Sequence, residues 1–320
     1  MVQGPPGCGK TYWVRELVKA LRASGSGKRV DIIAKTHASV CNFGEGAVTA
    51  DHYVRRHIRS GGCANCDILV CEEITQMEHQ LWADVCKLAL GGVSFILCGD
   101  FSQFSACCES HVGSLIPEGA LERSDMIRDL ANSNRLTLRG NKRSDQELFD
   151  FYTSLASRDL AEVLEEARLR FPVSDRPATI IVISHARRRY LNMQRNLAEK
   201  PSDAVFFRAP ATGGKTGPQS MWLWPGLNVV GAGGAVKKGV FETIAQATPE
   251  EVVLHNGTRL TAHQTVRSLR LAYALCYPST QGLSISGVVR LDCTENRHFT
   301  WKHLYVGSSR CTAHTLLEVV

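Results

Sequence analysis

No apolar run in this sequence approaches the roughly 20 residues needed to cross a bilayer, and no positively charged, then apolar leader opens the chain. A membrane-spanning protein and a secreted one with a leader are therefore not expected. No internal repeat and no long low-complexity tract is present, which sets aside solenoids and disordered scaffolds. Cysteine is not scarce, at 12 residues, but the spacing lacks the regularity of a disulfide framework. In a chain of this size that points to free thiols in a reducing, intracellular compartment. What remains is ordinary globular composition, 44% hydrophobic and 21% charged, in 320 residues with room for two domains. The formal net charge of +6 leans mildly toward polyanionic partners. Short basic clusters such as Arg55-Arg56, Arg187-Arg188-Arg189 and Lys237-Lys238 read as solvated surface or phosphate contacts.

The most informative segment is Gly4-Pro5-Pro6-Gly7-Cys8-Gly9-Lys10-Thr11. It fits G-x-x-x-x-G-K-[ST], a loop whose backbone amides wrap a nucleotide's phosphates. Glycines let the backbone approach the anion. A helix from Tyr12 to about Ala23, with Val14, Leu17, Val18 and Leu21 on one face, turns its positive end toward it. Lys10 reaches the β/γ-phosphates and the Thr11 hydroxyl is a Mg²⁺ ligand, so ATP and Mg²⁺ are the expected cofactors. Only Met1-Val2-Gln3 precede the loop, where a longer buried strand is usual, so the first domain reads as N-terminally clipped. The far end, Thr315–Val320, reads as a final buried strand.

Short β-branched runs alternate with helical periodicity, which predicts an α/β fold with parallel sheets. Expected strands are Val30–Ala34, Ile68–Cys71 and Val93–Cys98, with a helix from Met77 to about Leu90. After about Arg135 the pattern restarts, with a helix at Ser144–Ala156, a strand at Thr179–Ile183, a helix at Ala186–Leu197, and strands at Gly287–Leu291 and the end. Domains are expected at 1–136 and 137–320. From about 206 to 263 glycine and proline become dense and Asn256-Gly257 gives a hairpin signal, which predicts a small β insertion in the second domain.

Ile68-Leu69-Val70-Cys71-Glu72-Glu73 is an apolar strand ending in two carboxylates, at the sheet edge where such folds bind ligands. Glu72 is the candidate Mg²⁺ ligand with Thr11, and Glu73 the candidate base for an attacking water. Phe95–Cys98 then leads into Gly99-Asp100-Phe101-Ser102-Gln103, where Gln103 can sense the γ-phosphate.

With these three motifs the chain resembles a superfamily 1 helicase. Asn141-Lys142-Arg143-Ser144-Asp145 resembles the segment carrying that family's motif IV arginine. Leu271–Ala274 running to Gln281-Gly282-Leu283-Ser284 resembles motif V, and Leu304–Thr312 with Arg310 resembles motif VI. The G-D-F-x-Q form, Glu73–Met77, Ile180–Leu197 with Asn192, and the β insertion are most similar to the RecD/PIF branch. The resemblance implies two RecA-like domains with ATP in the cleft between them, Gln281 and Gly282 near the nucleotide, and Arg143 and Arg310 supplied by the second domain. It further implies 5′→3′ movement on single-stranded nucleic acid, DNA favoured over RNA, by a protein favoured to be a monomer. Its setting would be the nucleus or, for a viral protein, the infected host cell.

The sequence also lacks parts of that family's pattern. Motif II usually begins with aspartate and here has Glu72. Motif V lacks its histidine and lysine, and no proline follows Gln103-Phe104. An RNA helicase of the positive-strand viral type and a non-hydrolysing relic therefore stay open beside the DNA helicase. Candidate nucleic-acid contacts are Thr36, His37, His52, Ser184 and His185, with Trp222 and Trp224 as stacking surfaces or β-insertion core. A lone Cys63-x-x-Cys66 would need further ligands, such as Cys107, Cys108 and His111, to hold zinc. Asn141–Asp145 is one residue longer than the guanine-reading N-K-x-D.

Overall fold

A computed structural model describes residues 1–44, 46–60, 64–106, 110–111, 114–174, 177–210 and 217–320. The chain forms two compact units, Met1–Ala156 and Ser157–Val320. No helix among the described residues is long and apolar enough to cross a membrane.

In chain order the first unit runs β1 (Val2–Gln3), α1 (Lys10–Ala23), β2 (Val30–Ala34), α2 (His37–Phe43), β3 (Ala47–Thr49), α3 (Ala50–Val54), β4 (Ile68–Glu72), α4 (His79–Val85), α5 (Lys87–Leu90) and β5 (Ser94–Gly99). A hairpin of β6 (Ser110–His111) and β7 (Ser114–Leu115), then α6 (Asp125–Leu130), β8 (Leu136–Thr137) and α7 (Gln146–Ser154), complete it. Six strands form one parallel sheet in the order β3-β2-β4-β5-β1-β8. Every residue of β4 is buried, as a strand covered on both faces requires, and its sequence is accordingly apolar up to the terminal Glu72. Val14 and Val18 of α1 pack with Val30, Ile32, Ile68 and Val70 on one face, while Ile33, Leu69, Cys71, Trp82 and Val85 fill the other.

Two expectations change here. The strand before the phosphate loop is present as Val2–Gln3, paired with both β5 and β8. The boundary between units falls after Ala156 rather than after Leu136. The reason is hydrogen bonding: β8 pairs with β1, and Leu138 N donates to Gln3 O at 2.8 Å. Lys142 N donates to Gly7 O at 2.8 Å and Tyr152 Oη to Pro6 O at 2.9 Å. The segment after Leu136 thus completes the first sheet and clasps its phosphate loop.

The second unit runs α8 (Leu160–Arg170), β9 (Thr179–Val182), α9 (His185–Glu199), β10 (Val205–Phe207), β11 (Met221–Leu223), β12 (Asn228–Gly231), β13 (Phe241–Ala247), β14 (Glu251–Leu254) and β15 (Arg259–Thr261). It ends with α10 (Ala262–Ser268), β16 (Leu269–Leu271), β17 (Ala274–Cys276), β18 (Val289–Leu291), α11 (Trp301–Ser308) and β19 (Leu317–Val319). Strands β17-β9-β18-β19 make a parallel sheet, and β15-β14-β13-β12-β16 an antiparallel one beside the β10–β11 ribbon. The insertion therefore reaches Leu271, past the expected end near 263, because β16 pairs with β12. The Asn256-Gly257 turn joins β14 to β15 as its sequence predicts, with Gly257 at φ 84°.

The buried face of α9 is polar. Arg188, Asn192 and Asn196 recur every fourth residue, hence on one side of the helix, and all three are buried. Asn192 Nδ2 donates to Ala274 O at 3.0 Å while its Oδ1 accepts from Ala274 N at 2.9 Å. Asn196 makes the same double bond to Trp222, at 2.8 Å each way. Each asparagine thus satisfies the free backbone edge of a strand, Asn192 on β17 and Asn196 on β11.

Candidate functional site

The phosphate loop leaves the carboxyl end of β1. Gly4, Gly7 and Gly9 have φ of 152°, 79° and 87°. A Cβ at Gly4 would collide with the Leu138 carbonyl oxygen, and one at Gly7 would lie 3.1 Å from Arg143 Cβ. Pro5, Pro6 and Cys8 fill the turn between them, with Pro6 and Cys8 buried. Gly9 stands at the N-cap of α1 with no side chain capping the first turn, so the positive end of a 14-residue helix opens on the loop. Lys10 is buried, and its Nζ spans the loop to Gly4 O at 2.7 Å and Pro5 O at 2.9 Å. Burial opposes the Lys10 charge, but Asp100, with Cys8, Glu73 and Cys98, outweighs it and raises its pKa. Lys10 therefore stays a cation.

At the end of β4, Thr11 Oγ1 donates to Glu72 Oε1 in a short contact. Glu72 is 3% exposed and its Oε2 has no hydrogen-bond partner among the described residues. Burial, then the neighbouring Glu73, push its pKa up to about 7. A hydroxyl and a carboxylate with an orphaned oxygen are hard oxygen donors, so Thr11 and Glu72 fit a Mg²⁺ ion. Glu73 adopts a left-handed backbone, φ 53° and ψ 50°, uncommon for a non-glycine residue and characteristic of strained functional positions.

Asp100 and Gln103 follow β5. Asp100 Oδ1 accepts from Ser102 N at 3.0 Å, and its Oδ2 accepts from Gln103 Nε2 at 3.1 Å, so Asp100 fixes the buried glutamine. Arg143 follows β8 and lies against Gly7 within the first unit. Its expected location in the second domain is thus corrected, for the pairing reasons given above. Asn141 builds the loop that carries it. The Asn141 Oδ1 accepts from Arg143 N and Ser144 N, and its Nδ2 donates to Ser144 O and Asp145 O. An asparagine spent on its own loop does not read guanine. Four adjacent strands, β4, β5, β1 and β8, therefore bring Glu72 and Glu73, Asp100 and Gln103, the phosphate loop, and Arg143 to one sheet edge. Asp100 lies inside the G-D-x-x-Q motif, whereas the clasp by Lys142 and Tyr152, which supports the loop, has no local signature in the sequence.

The remaining candidates have contacts of their own within each unit. Arg310, 1% exposed, donates from Nε to Val306 O at 2.8 Å, from Nη1 to Thr280 O and Leu283 O at 3.0 Å each, and from Nη2 to Ser309 Oγ at 2.7 Å. It binds the segment holding Gln281, which is buried, and Gly282, at φ 76°, to the end of α11. Thr36 and Ser184 both cap helices, accepting from Ser39 N at 3.2 Å and Arg187 N at 3.1 Å. His37 begins α2, exposed His52 lies 3.5 Å from Arg55, and His185 Nδ1 lies 3.3 Å from Cys276 Sγ. Trp222 meets Phe206 in a tilted ring contact at 4.9 Å, with Lys200 Nζ 4.1 Å from its ring, while Trp224 packs on the insertion core. Cys63, Cys107 and Cys108 lie outside the described residues, and no metal-binding cluster of three His, Cys, Asp or Glu occurs among those described.

A parallel-sheet unit with a phosphate loop is thus followed by a second parallel-sheet unit with an antiparallel insertion. Comparison with known proteins agrees. Residues 1–153 match the family model for the AAA domain. Pif1 helicase from Candida albicans is similar over 100% of this chain and 89% of its own, with 18% identity and a TM-score of 0.70. Bacteroides Pif1 bound to ssDNA is similar at 15% identity over 99% of this chain and 87% of its own, with a TM-score of 0.68. Bacteroides Pif1 in complex with ADP-AlF3 and ssDNA is similar at 15% identity over 99% and 87%, with a TM-score of 0.67. No curated protein sequence matches significantly. The fold is that of the Pif1 helicases to which the chain is similar.

Proposed function

We propose that the chain is an ATP-dependent helicase or translocase acting on single-stranded DNA. The observation that carries this reading is the gathering of Lys10, Thr11, Glu72, Glu73, Gln103 and Arg143 at one edge of the first sheet. Bound Mg²⁺ would draw charge from the transferred phosphate. The protein's own groups do the rest: Gly4–Thr11 hold the phosphates, Lys10 neutralises them, and Glu73 takes the proton of the attacking water. Gln103, held by Asp100, orients that water, and Arg143 stabilises charge at the loop. Hydrolysis in the cleft between the two units, a role for Arg310, the 5′→3′ direction and a monomeric state rest on the family resemblance. The likeness to Bacteroides Pif1 bound to ssDNA, and to the same protein in complex with ADP-AlF3 and ssDNA, supports the choice of DNA and nucleotide.

Lys10→Ala removes the side chain bridging Gly4 O and Pro5 O and should abolish hydrolysis. Steady-state ATPase with and without single-stranded DNA or RNA is the test, with Lys10→Ala as control. Stimulation retained in that variant sinks the mechanism. Stronger stimulation by RNA would move the assignment to an RNA helicase. The second reading, a strand-binding relic, is favoured by Glu72 in place of aspartate. Binding without turnover, repaired by Glu72→Asp, is its signature.

A further inference from the structure

Helix α9 turns its apolar side to solvent. Arg188, Asn192 and Asn196 form the buried side, and of the four large apolar residues only Leu191 packs against the second parallel sheet. Tyr190, Met193 and Leu197 stand outside, 51%, 52% and 56% exposed. A surface helix ordinarily faces the core with its apolar stripe, since that burial is what holds it in place. Here the asparagine clamps on Ala274 and Trp222 hold α9 instead, and the stripe is left for another purpose.

The stripe is spaced as a seam. Ala186, also exposed, Tyr190, Met193 and Leu197 follow one another at intervals of four, three and four residues. That is the a/d spacing at which two helices pack knobs into holes. It runs for about three turns, roughly 17 Å at 1.5 Å per residue. One turn further on, Lys200 joins the seam to the β10–β11 ribbon, with its Nζ 4.1 Å from the Trp222 ring. Trp222 lies in register with Phe206, and the two rings meet at 4.9 Å. Phe207, Met221 and Leu223 fill the insertion core, so the alternation of a strand puts Phe206 and Trp222 on its outer face. Phe206 is 48% exposed. Scattered exposed apolar residues mean little, but adjoining ones mark an interaction surface.

Charge selects the occupant. Residues 184–208 hold six Lys or Arg against two acids, a net of +4 in a chain whose total is +6. Arg187 pairs with Asp292 at 2.8 Å and Arg195 with Glu199 at 2.9 Å, and the surround of the stripe stays positive after both pairs are counted. Two copies of this face would bring like charges together, whereas an acidic helix is attracted.

We propose that this face of α9, with the Phe206–Trp222 pair at its end, docks an amphipathic helix of a partner protein whose apolar seam is flanked by glutamate or aspartate. The inference does not rest on the helicase reading and adds a protein partner to it.

The test uses the full chain and a fluorescein-labelled synthetic helix of about three heptads, with leucine at a and d and glutamate at e and g. Its like charges keep it from pairing with itself. Wild type should bind it one-to-one, and a lysine-flanked version of the same helix at least about tenfold more weakly. The double variant Met193→Gln, Leu197→Gln should lose at least about tenfold in affinity for the glutamate-flanked helix. Its melting temperature should not change, because both side chains are exposed. Leu169→Gln, on α8 and 86% exposed, should bind as wild type does. Lys200→Glu should weaken binding by about threefold, an effect that fades as salt is added.

A wild type that ignores the glutamate-flanked helix, or a double variant that binds it equally well, overturns the proposal. Equal binding of the lysine-flanked helix also overturns it, by reducing the face to unselective apolar adhesion. A wild-type dimer in sedimentation that the double variant dissociates makes the occupant a second copy instead. Displacement of the helix from wild type by oligothymidylate assigns the face to nucleic acid, and either of these last two results overturns the acidic partner.

Discussion

Glu72 offers a prediction with a defined sign. Its pKa is pushed up from the ordinary 4.5 to about 7 in the folded protein, with burial as the larger cause and Glu73 the second. Below pH 4.5 the carboxyl is neutral whether the chain is folded or not, and costs nothing. Between 4.5 and 7 the unfolded chain releases the proton while the folded one retains it, so stability falls as pH rises. Above 7 the loss is complete. At 1.36 kcal/mol per unit the shift corresponds to about 3 kcal/mol. Glu72→Gln keeps the shape and the acceptor for Thr11 but removes the charge. Without Mg²⁺ or nucleotide the variant should therefore melt with wild type near pH 4.5. At pH 8 it should melt roughly 6–12 °C higher, at about 2–4 °C per kcal/mol for a unit of this size. Scanning calorimetry of both proteins between pH 4.5 and 8.5 reads the difference directly. A gap that is constant across that range, or that closes as pH rises, would refute the buried and orphaned carboxylate. Mg²⁺ should narrow the gap by stabilising wild type alone.

Three further outcomes follow from the geometry. Asn192→Ala strips both bonds from Ala274 and leaves a buried backbone pair unmet, so urea unfolding of the second unit should lose about 2–4 kcal/mol. An unchanged midpoint would mean α9 is not held by that clamp. Glu73→Gly relieves the left-handed strain and should gain up to about 1 kcal/mol of stability while ATPase disappears. Wild-type turnover in that variant would remove Glu73 from the chemistry. Gly4→Ala should cost at least about 1–3 kcal/mol from backbone strain alone, with further loss from the collision with Leu138 O. A soluble variant with wild-type melting and ATP affinity would contradict the close approach of residue 138 to the loop.

Much of this was legible in the sequence because it is local. The strand Val30–Ala34 lies where β-branched alternation put it, and Ile68–Glu72 is one residue longer than read. Glu72-Glu73 and G-D-x-x-Q each sit on the expected strand ends. What could not be read depends on pairing between distant segments. The two residues Val2–Gln3 look too short for a strand until β8 and β5 are placed on either side. Arg143 was assigned to the wrong unit because its loop is fixed by Gly7 and Pro6, not by its neighbours in sequence. Arg188 looked like one of three solvated arginines. Only the four-residue spacing with Asn192 and Asn196, visible once α9 is known to pack by a polar face, marks it as buried.

The clasp on the phosphate loop also sets an order of events during synthesis. Pro6 and Tyr152 are separated by 146 positions, and β1 can join the sheet only between strands made later. At about 5–20 residues per second, the loop waits roughly 7–30 s after its own translation for Tyr152 to be added. Closure over such a separation gives no early enthalpic return, so it belongs among the last contacts to form. A nascent chain released before α7 would therefore carry the whole G-x-x-x-x-G-K-[ST] signature without the geometry that makes it a nucleotide site. Nucleotide capture is thus a natural reporter that the first unit has finished folding.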